Sequence, residues 1–278
     1  MTRAGTVARD LLREARARRW VLFLFAGTTL LLLGAALGLR LEVVDGALAA
    51  TRLFGGVVAT DIQAADVALR PLFEGTAWVV FYAGMAFGVL SCADFAPALL
   101  APGRIEHLLS LPMRRWELVV GTFLGVEALA LSGAVYGGLG LTLIVWAKTG
   151  VFGWAPVVAA LLGGAGFGAI YAVMLASAIA VRSAALSAAA GGITFVAGIV
   201  AGYRRSLAPL FSSGASRELF LGMTAPLPRL SALGGQAGRL AGGHPLDLAQ
   251  LGVQLGGTLL FALAALSLAI HLLDRKDF

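Results

Sequence analysis

The sequence predicts an all-α, polytopic membrane protein with six transmembrane helices, an N-terminal cytoplasmic amphipathic helix and a short cytoplasmic helix between the second and third spans. Three observations carry that prediction. The 278-residue chain is 59% hydrophobic and only 13% charged, with a mean hydropathy of +0.89, too much apolar side chain for one soluble core to enclose. Its apolar residues gather into six stretches, each long enough, at ~20 residues or more, to cross ~30 Å of hydrocarbon. Its charges fall at the ends of those stretches, as a positive-inside topology requires.

Taken in order, residues 6–19 (TVARDLLREARARR) place Val7, Leu11, Leu12 and Ala15 on one side of a helix and Arg9, Arg13 and Arg16 on the other. Asp10 precedes Arg13, and Glu14 precedes Arg18, at three- and four-residue spacings that support a helix. We read this segment as a retained helix on the inner membrane surface and not as a cleaved signal. Residues 20–39 form the first span, and residues 40–75 an outer segment of mixed polarity expected to hold short surface helices. The second span, 76–100, returns inward and the third, 118–147, leads out again. The fourth, 155–181, descends to a tight inner turn at Arg182, and the fifth, 184–202, rises from it. A second outer segment, 203–246, is rich in Gly, Ser and Pro, and the last span, 246–273, ends in the tail DRKDF. Inner segments hold twelve of the 21 Lys and Arg residues at higher density, which puts both termini inside. The whole chain, 1–278, is one transmembrane domain.

Glycines recur four apart at Gly34/Gly38, Gly84/Gly88, Gly121/Gly125, Gly133/Gly137, Gly164/Gly168 and Gly198/Gly202, spacing that lets helices approach closely. The single cysteine, Cys92, excludes a disulfide framework and a thiolate metal cluster. The net charge of +6 is spread over span ends and not gathered into a patch interleaved with aromatics, so it points to topology and not to nucleic acid.

The inner loop between the second and third spans is the most specific stretch. In PGRIEHLLSLPMRRWELVVGTFLG, Pro102 and Gly103 end the preceding span, and Ile105, Leu108 and Leu109 recur at helical spacing until Pro112 stops the run. That leaves about two turns, roughly 12 Å of helix. Arg114, Arg115 and Trp116 follow at the membrane boundary. An apolar side on so short a helix is explained equally by a partner protein or by lipid.

On Gly103, Glu106, Leu108, Leu109, Pro112, Arg115, Glu117, Gly121 and Gly125, this stretch resembles the loop between the second and third spans of type 2 ABC exporter permeases. Arg104 stands where that pattern usually has Thr, and Thr122 where it usually has Lys. The resemblance implies a membrane subunit of an exporter in a bacterial inner membrane, paired with a second copy or a paralogue and with two soluble ATPase subunits. It leaves room for envelope accessory proteins as further partners. It also implies that the loop helix is a coupling helix whose ATPase contacts are Arg104, Ile105, Glu106, His107, Leu108 and Leu109. A different class, a non-transporting ABC-like scaffold that anchors or regulates an envelope machine, fits the same loop.

Catalytic chemistry is not expected of this chain. It has no GxxxxGK[ST], and its only lysines are Lys148 and Lys276, so ATP and Mg would belong to the partner ATPase. His107, His244 and His271 fall on different segments, and neither HExxH nor GxSxG occurs. Two acids lie inside spans. Asp94 is expected to find a neighbour such as Arg182. Glu127 either lines a hydrated path or pairs with a base inside the bundle.

Overall fold

The computed structural model describes residues 3–17, 20–44, 47–53, 56–59, 63–64, 70–110, 112–150, 152–211 and 214–276. Helices make up the body: α1 (Arg3–Ala17), α2 (Trp20–Gly38), α3 (Arg70–Cys92), α4 (Phe95–Leu99), α5 (Arg104–Ser110), α6 (Arg115–Thr149), α7 (Ala155–Val181), α8 (Ala184–Gly202), α9 (Arg204–Leu207), α10 (Gly214–Thr224), α11 (Leu230–Ala241) and α12 (Leu248–Asp274). Among the described residues, five segments are long and apolar enough to cross a membrane: α3 with α4, then α6, α7, α8 and α12. This is a membrane protein. The apolar stretch Phe25–Gly38 within α2 is shorter than those five.

Helix α7 is the hub. Of its most apolar stretch, 78% is buried, against 28–39% in the other four, so its neighbours surround it while they keep one face outward. It packs against α3, α6, α8, α11 and α12. Phe81 and Met85 of α3, Val126 of α6, and Ile170, Tyr171 and Met174 of α7 form the centre, joined by Leu230 and Leu233 of α11. A second cluster at the α5 end gathers Leu99, Ile105, Leu118, Leu175, Ile179, Leu266 and Leu273.

Several expected boundaries coincide with helices: 155–181 with α7 and 184–202 with α8. The turn between them is two residues long. Arg182 adopts φ 56° and donates its N–H to Ala178 at 2.7 Å, and the Ser183 hydroxyl accepts from Leu186 N–H at 3.4 Å as the N-cap of α8. The stretch expected at 76–100 differs in two ways. Its helix starts earlier, at Arg70, and it breaks after Cys92 before α4 resumes. Pro97 explains the break, because it has no N–H to donate to the carbonyl four residues back, at Ala93.

Where short helices were expected in the outer segment 40–75, the described residues between 39 and 64 form strands: β1 (Leu39–Val44), β2 (Ala47–Leu53), β3 (Gly56–Ala59) and β4 (Gln63–Ala64). β1, β3 and β4 all pair antiparallel with β2, and Leu41 stands opposite Thr51. The two-residue alternation in LRLEV is a strand period, and it outweighs the scattered helix formers around it.

Candidate partner-docking site

Helix α5 is set by its ends. Gly103, at φ 79°, turns the chain out of α4 in a backbone conformation that costs a residue with a side chain, and its carbonyl accepts from His107 N–H at 3.2 Å. Ile105 is 1% exposed and anchors the helix in the cluster of Leu99, Leu118 and Ile179, while Leu108 packs half-buried at its edge. Glu106 and His107 are exposed, and the Ser110 hydroxyl donates to the His107 carbonyl at 2.7 Å. The backbone of Leu109 completes the helix; its side chain lies outside the described residues.

These positions revise the expected contact set. Ile105 turns inward, because its side chain supplies the apolar burial that holds seven residues in place. Arg104 is also occupied. Its guanidinium forms a bidentate pair with Glu14 of α1, with Nη1 donating to Oε1 at 2.7 Å and Nη2 to Oε2. That hydrogen bond, with the charges of Glu14 and Asp10, raises the Arg104 pKa against the opposing effect of burial. Glu14 thus reaches across to α5, and Arg18, its expected partner within α1, lies outside the described residues. Among the described side chains of α5, the exposed ones are Glu106, His107 and Ser110.

The rest of the motif builds the platform under α5. Glu117 Oε2 accepts from Arg114 N–H at 2.8 Å and caps the start of α6. Arg115 Nη1 donates to the carbonyls of Leu273 and Lys276, both at 2.7 Å, and of Asp274 at 3.2 Å, so it closes the free end of α12. The tail completes this belt: Lys276 Nζ donates to Ala180 O at 2.8 Å and to Ile179 O, at the end of α7. Burial, then the nearby charge of Arg182, lowers the Lys276 pKa. Gly121 and Gly125 seat α1. A Cβ at Gly121 would lie 2.6 Å from Val7 Cβ and 2.7 Å from Ala4 O, and one at Gly125 3.1 Å from Ala8 O.

Of the other glycine pairs, Gly198 and Gly202 receive the start of α11, while Gly34 and Gly84 face open space. The amphipathic helix α11 fills the space between α3, α7 and α8. Its spacing of Leu230, Leu233, Ala237 and Ala241 was a readable signal inside a Gly- and Pro-rich segment.

Asp94 is exposed in the turn between α3 and α4, out of the apolar interior. Glu127 of α6 is half-buried against α7. Its Oε2 is enclosed without a hydrogen-bond partner, 3.1 Å from where a Cβ on Gly168 would sit, and among the described residues no basic side chain pairs with it. The nearby Tyr171 hydroxyl is also enclosed without a partner. His107, His244 and His271 stand on α5, after α11 and on α12, and His244 Nε2 lies 3.0 Å from Glu74 Oε1.

No family model matches the chain, and no curated protein matches it.

Proposed function

We propose that this chain is the membrane-spanning permease subunit of an ABC exporter, moving its substrate with ATP hydrolysed by a separate soluble subunit. The observation that carries the reading is how the loop motif divides. Gly103, Leu108, Arg115, Glu117, Gly121 and Gly125 serve the local fold, and Glu106 is left exposed with His107 on a helix rooted in the core by Ile105. A rigidly seated helix with an exposed acidic face suits the transfer of a push from a partner. Through Ile105 it bears on α6 and α7, and through Arg104 on α1.

In this reading α2 is the first of six spans. Both termini and α5 face the cytoplasm of a bacterium, and two chains stand above two ATPase subunits. ATP and Mg bind the ATPase, whose closure presses on Glu106 and His107.

The test is recovery of the partner. The tagged full-length chain is purified from its native membrane in parallel with a Glu106→Arg variant. A copurifying soluble subunit with a Walker A sequence, recovered with wild type and lost or uncoupled in its ATP turnover with the variant, supports the reading. Absence of any nucleotide-binding subunit, or equal recovery and turnover in both, overturns it.

A further inference from the structure

The segment that joins α8 to α12, at the end of the bundle opposite α5, is rich in arginine, and the same end also carries Glu74 and Asp247. Segment 203–246 holds Arg204, Arg205, Arg217, Arg229 and Arg239 against one carboxylate, Glu218. The fold gathers three of these. α9 follows α8 directly and carries Arg204 and Arg205, and the start of α11 is drawn onto the end of α8 at its two glycines. A Cβ at Gly198 would lie 3.0 Å from Pro228 O, and one at Gly202 2.9 Å from Ala232 N. Arg229, immediately before α11, is thereby brought within electrostatic range of Arg204 and Arg205. Burial first, then those two charges, lowers its pKa. Among the described residues no carboxylate lies within 4 Å of any of the three. Arg239 is engaged elsewhere, donating to Pro245 O at 3.3 Å.

Like charges folded together repel, and an anion placed among them removes that repulsion. α11 starts beside the arginines and α8 ends beside them, so the opposite poles of the two helices offset each other and the guanidinium charges dominate. The surrounding surface indicates the kind of anion. α10 packs against α8 and α9, and Phe211 stacks on Phe220 with ring centroids 4.7 Å apart. Leu210, Leu219 and Met223 are left 77%, 65% and 68% exposed. Guanidinium groups beside bare apolar side chains, at the end of a membrane-crossing helix, fit a molecule that has both a phosphate and acyl chains.

We propose that Arg204, Arg205 and Arg229 bind the headgroup phosphate of an anionic phospholipid in the leaflet at this end of the bundle, with its acyl chains against Leu210, Leu219 and Met223. The site goes beyond the transport reading and needs no ATPase. It is independent of which side of the membrane this end faces.

The test uses the full-length protein in a neutral detergent, with binding read by native mass spectrometry and thermal shift. The probes are dioctanoyl-phosphatidylglycerol, dioctanoyl-phosphatidylcholine and inorganic phosphate. Phosphatidylglycerol should bind about tenfold tighter than phosphatidylcholine. At about fivefold per arginine near an anionic surface, the Arg204→Gln/Arg205→Gln/Arg229→Gln variant should weaken it on the order of 100-fold. The control Arg9→Gln/Arg13→Gln/Arg16→Gln removes the basic face of α1 at the other end and should keep that site. If the triple variant does not fold, Arg205→Gln, whose side chain is exposed, should alone cost about fivefold. Unchanged phosphatidylglycerol affinity in these variants, or equal binding of phosphatidylcholine, overturns the proposal. Inorganic phosphate binding as tightly as phosphatidylglycerol would identify a soluble-anion site and overturn the lipid assignment.

Discussion

Replacing Gly121 with Ala should loosen α1 from the bundle while α6 stays folded. The added Cβ would lie 2.6 Å from Val7 Cβ and 2.7 Å from the Ala4 carbonyl oxygen. The second contact is backbone, so a rotamer change cannot relieve it and α1 itself must move. Overpacking of this kind costs about 1–3 kcal/mol. Alanine also stabilises a helix over glycine by about 1 kcal/mol, but α6 remains helical whether α1 is docked or not, so that gain cancels. What α1 stands to lose is the burial of Ala4, Leu11 and Ala15, which are 6%, 5% and 0% exposed, and the support of the Glu14–Arg104 pair. Amide hydrogen exchange of residues 4–15 reads the change directly. A docking free energy lower by 1–3 kcal/mol corresponds to about 5- to 150-fold faster exchange through local opening. Gly84→Ala, where nothing lies within 4 Å of the new Cβ, is the matched control and should leave α1 unchanged. Unaltered α1 protection in Gly121→Ala would refute the argument that this glycine is the seat of α1.

Two further outcomes follow from the packing. Glu127→Gln should keep the wild-type melting temperature, since no basic side chain among the described residues depends on that carboxylate; a loss of several kcal/mol would reveal a buried cationic partner. In a Cys92→Ala background, single cysteines at Arg182 and Arg217 should be labelled from opposite sides of the membrane, because the α7–α8 turn and α10 lie at opposite ends of α8, and labelling of both from one side would break the span assignment.

The apolar stretches determined the existence of the main helices, and two of them, 155–181 and 184–202, match in both bounds. This follows from local physics: a run of apolar residues long enough to cross hydrocarbon must satisfy its backbone internally, and a helix does that without reference to any partner. The loop helix was equally legible, because Gly103 and Pro112 punctuate it locally. The strands at 39–64 were missed although LRLEV alternates, since two-residue periodicity in a short segment competes with the general expectation of helices in such a chain.

Which partner each polar side chain chooses was settled only by the tertiary structure. Glu14 is within reach of Arg18 along its own helix, yet it pairs with Arg104, ninety positions away, because Gly121 and Gly125 let α1 lie close against α6. Ile105 and Glu106 are adjacent in a segment with the same helical period, but the cluster around Leu118 and Ile179 decides that the first is buried and the second exposed. Arg115 reads as a boundary charge in sequence, and it becomes the closure of α12 only when the end of that helix arrives beside it. Apolar length and periodicity act over a few residues and are written along the chain. Ion pairs, helix-end closure and the gathering of Arg204, Arg205 and Arg229 depend on which helix ends meet, and that is a property of the packed bundle.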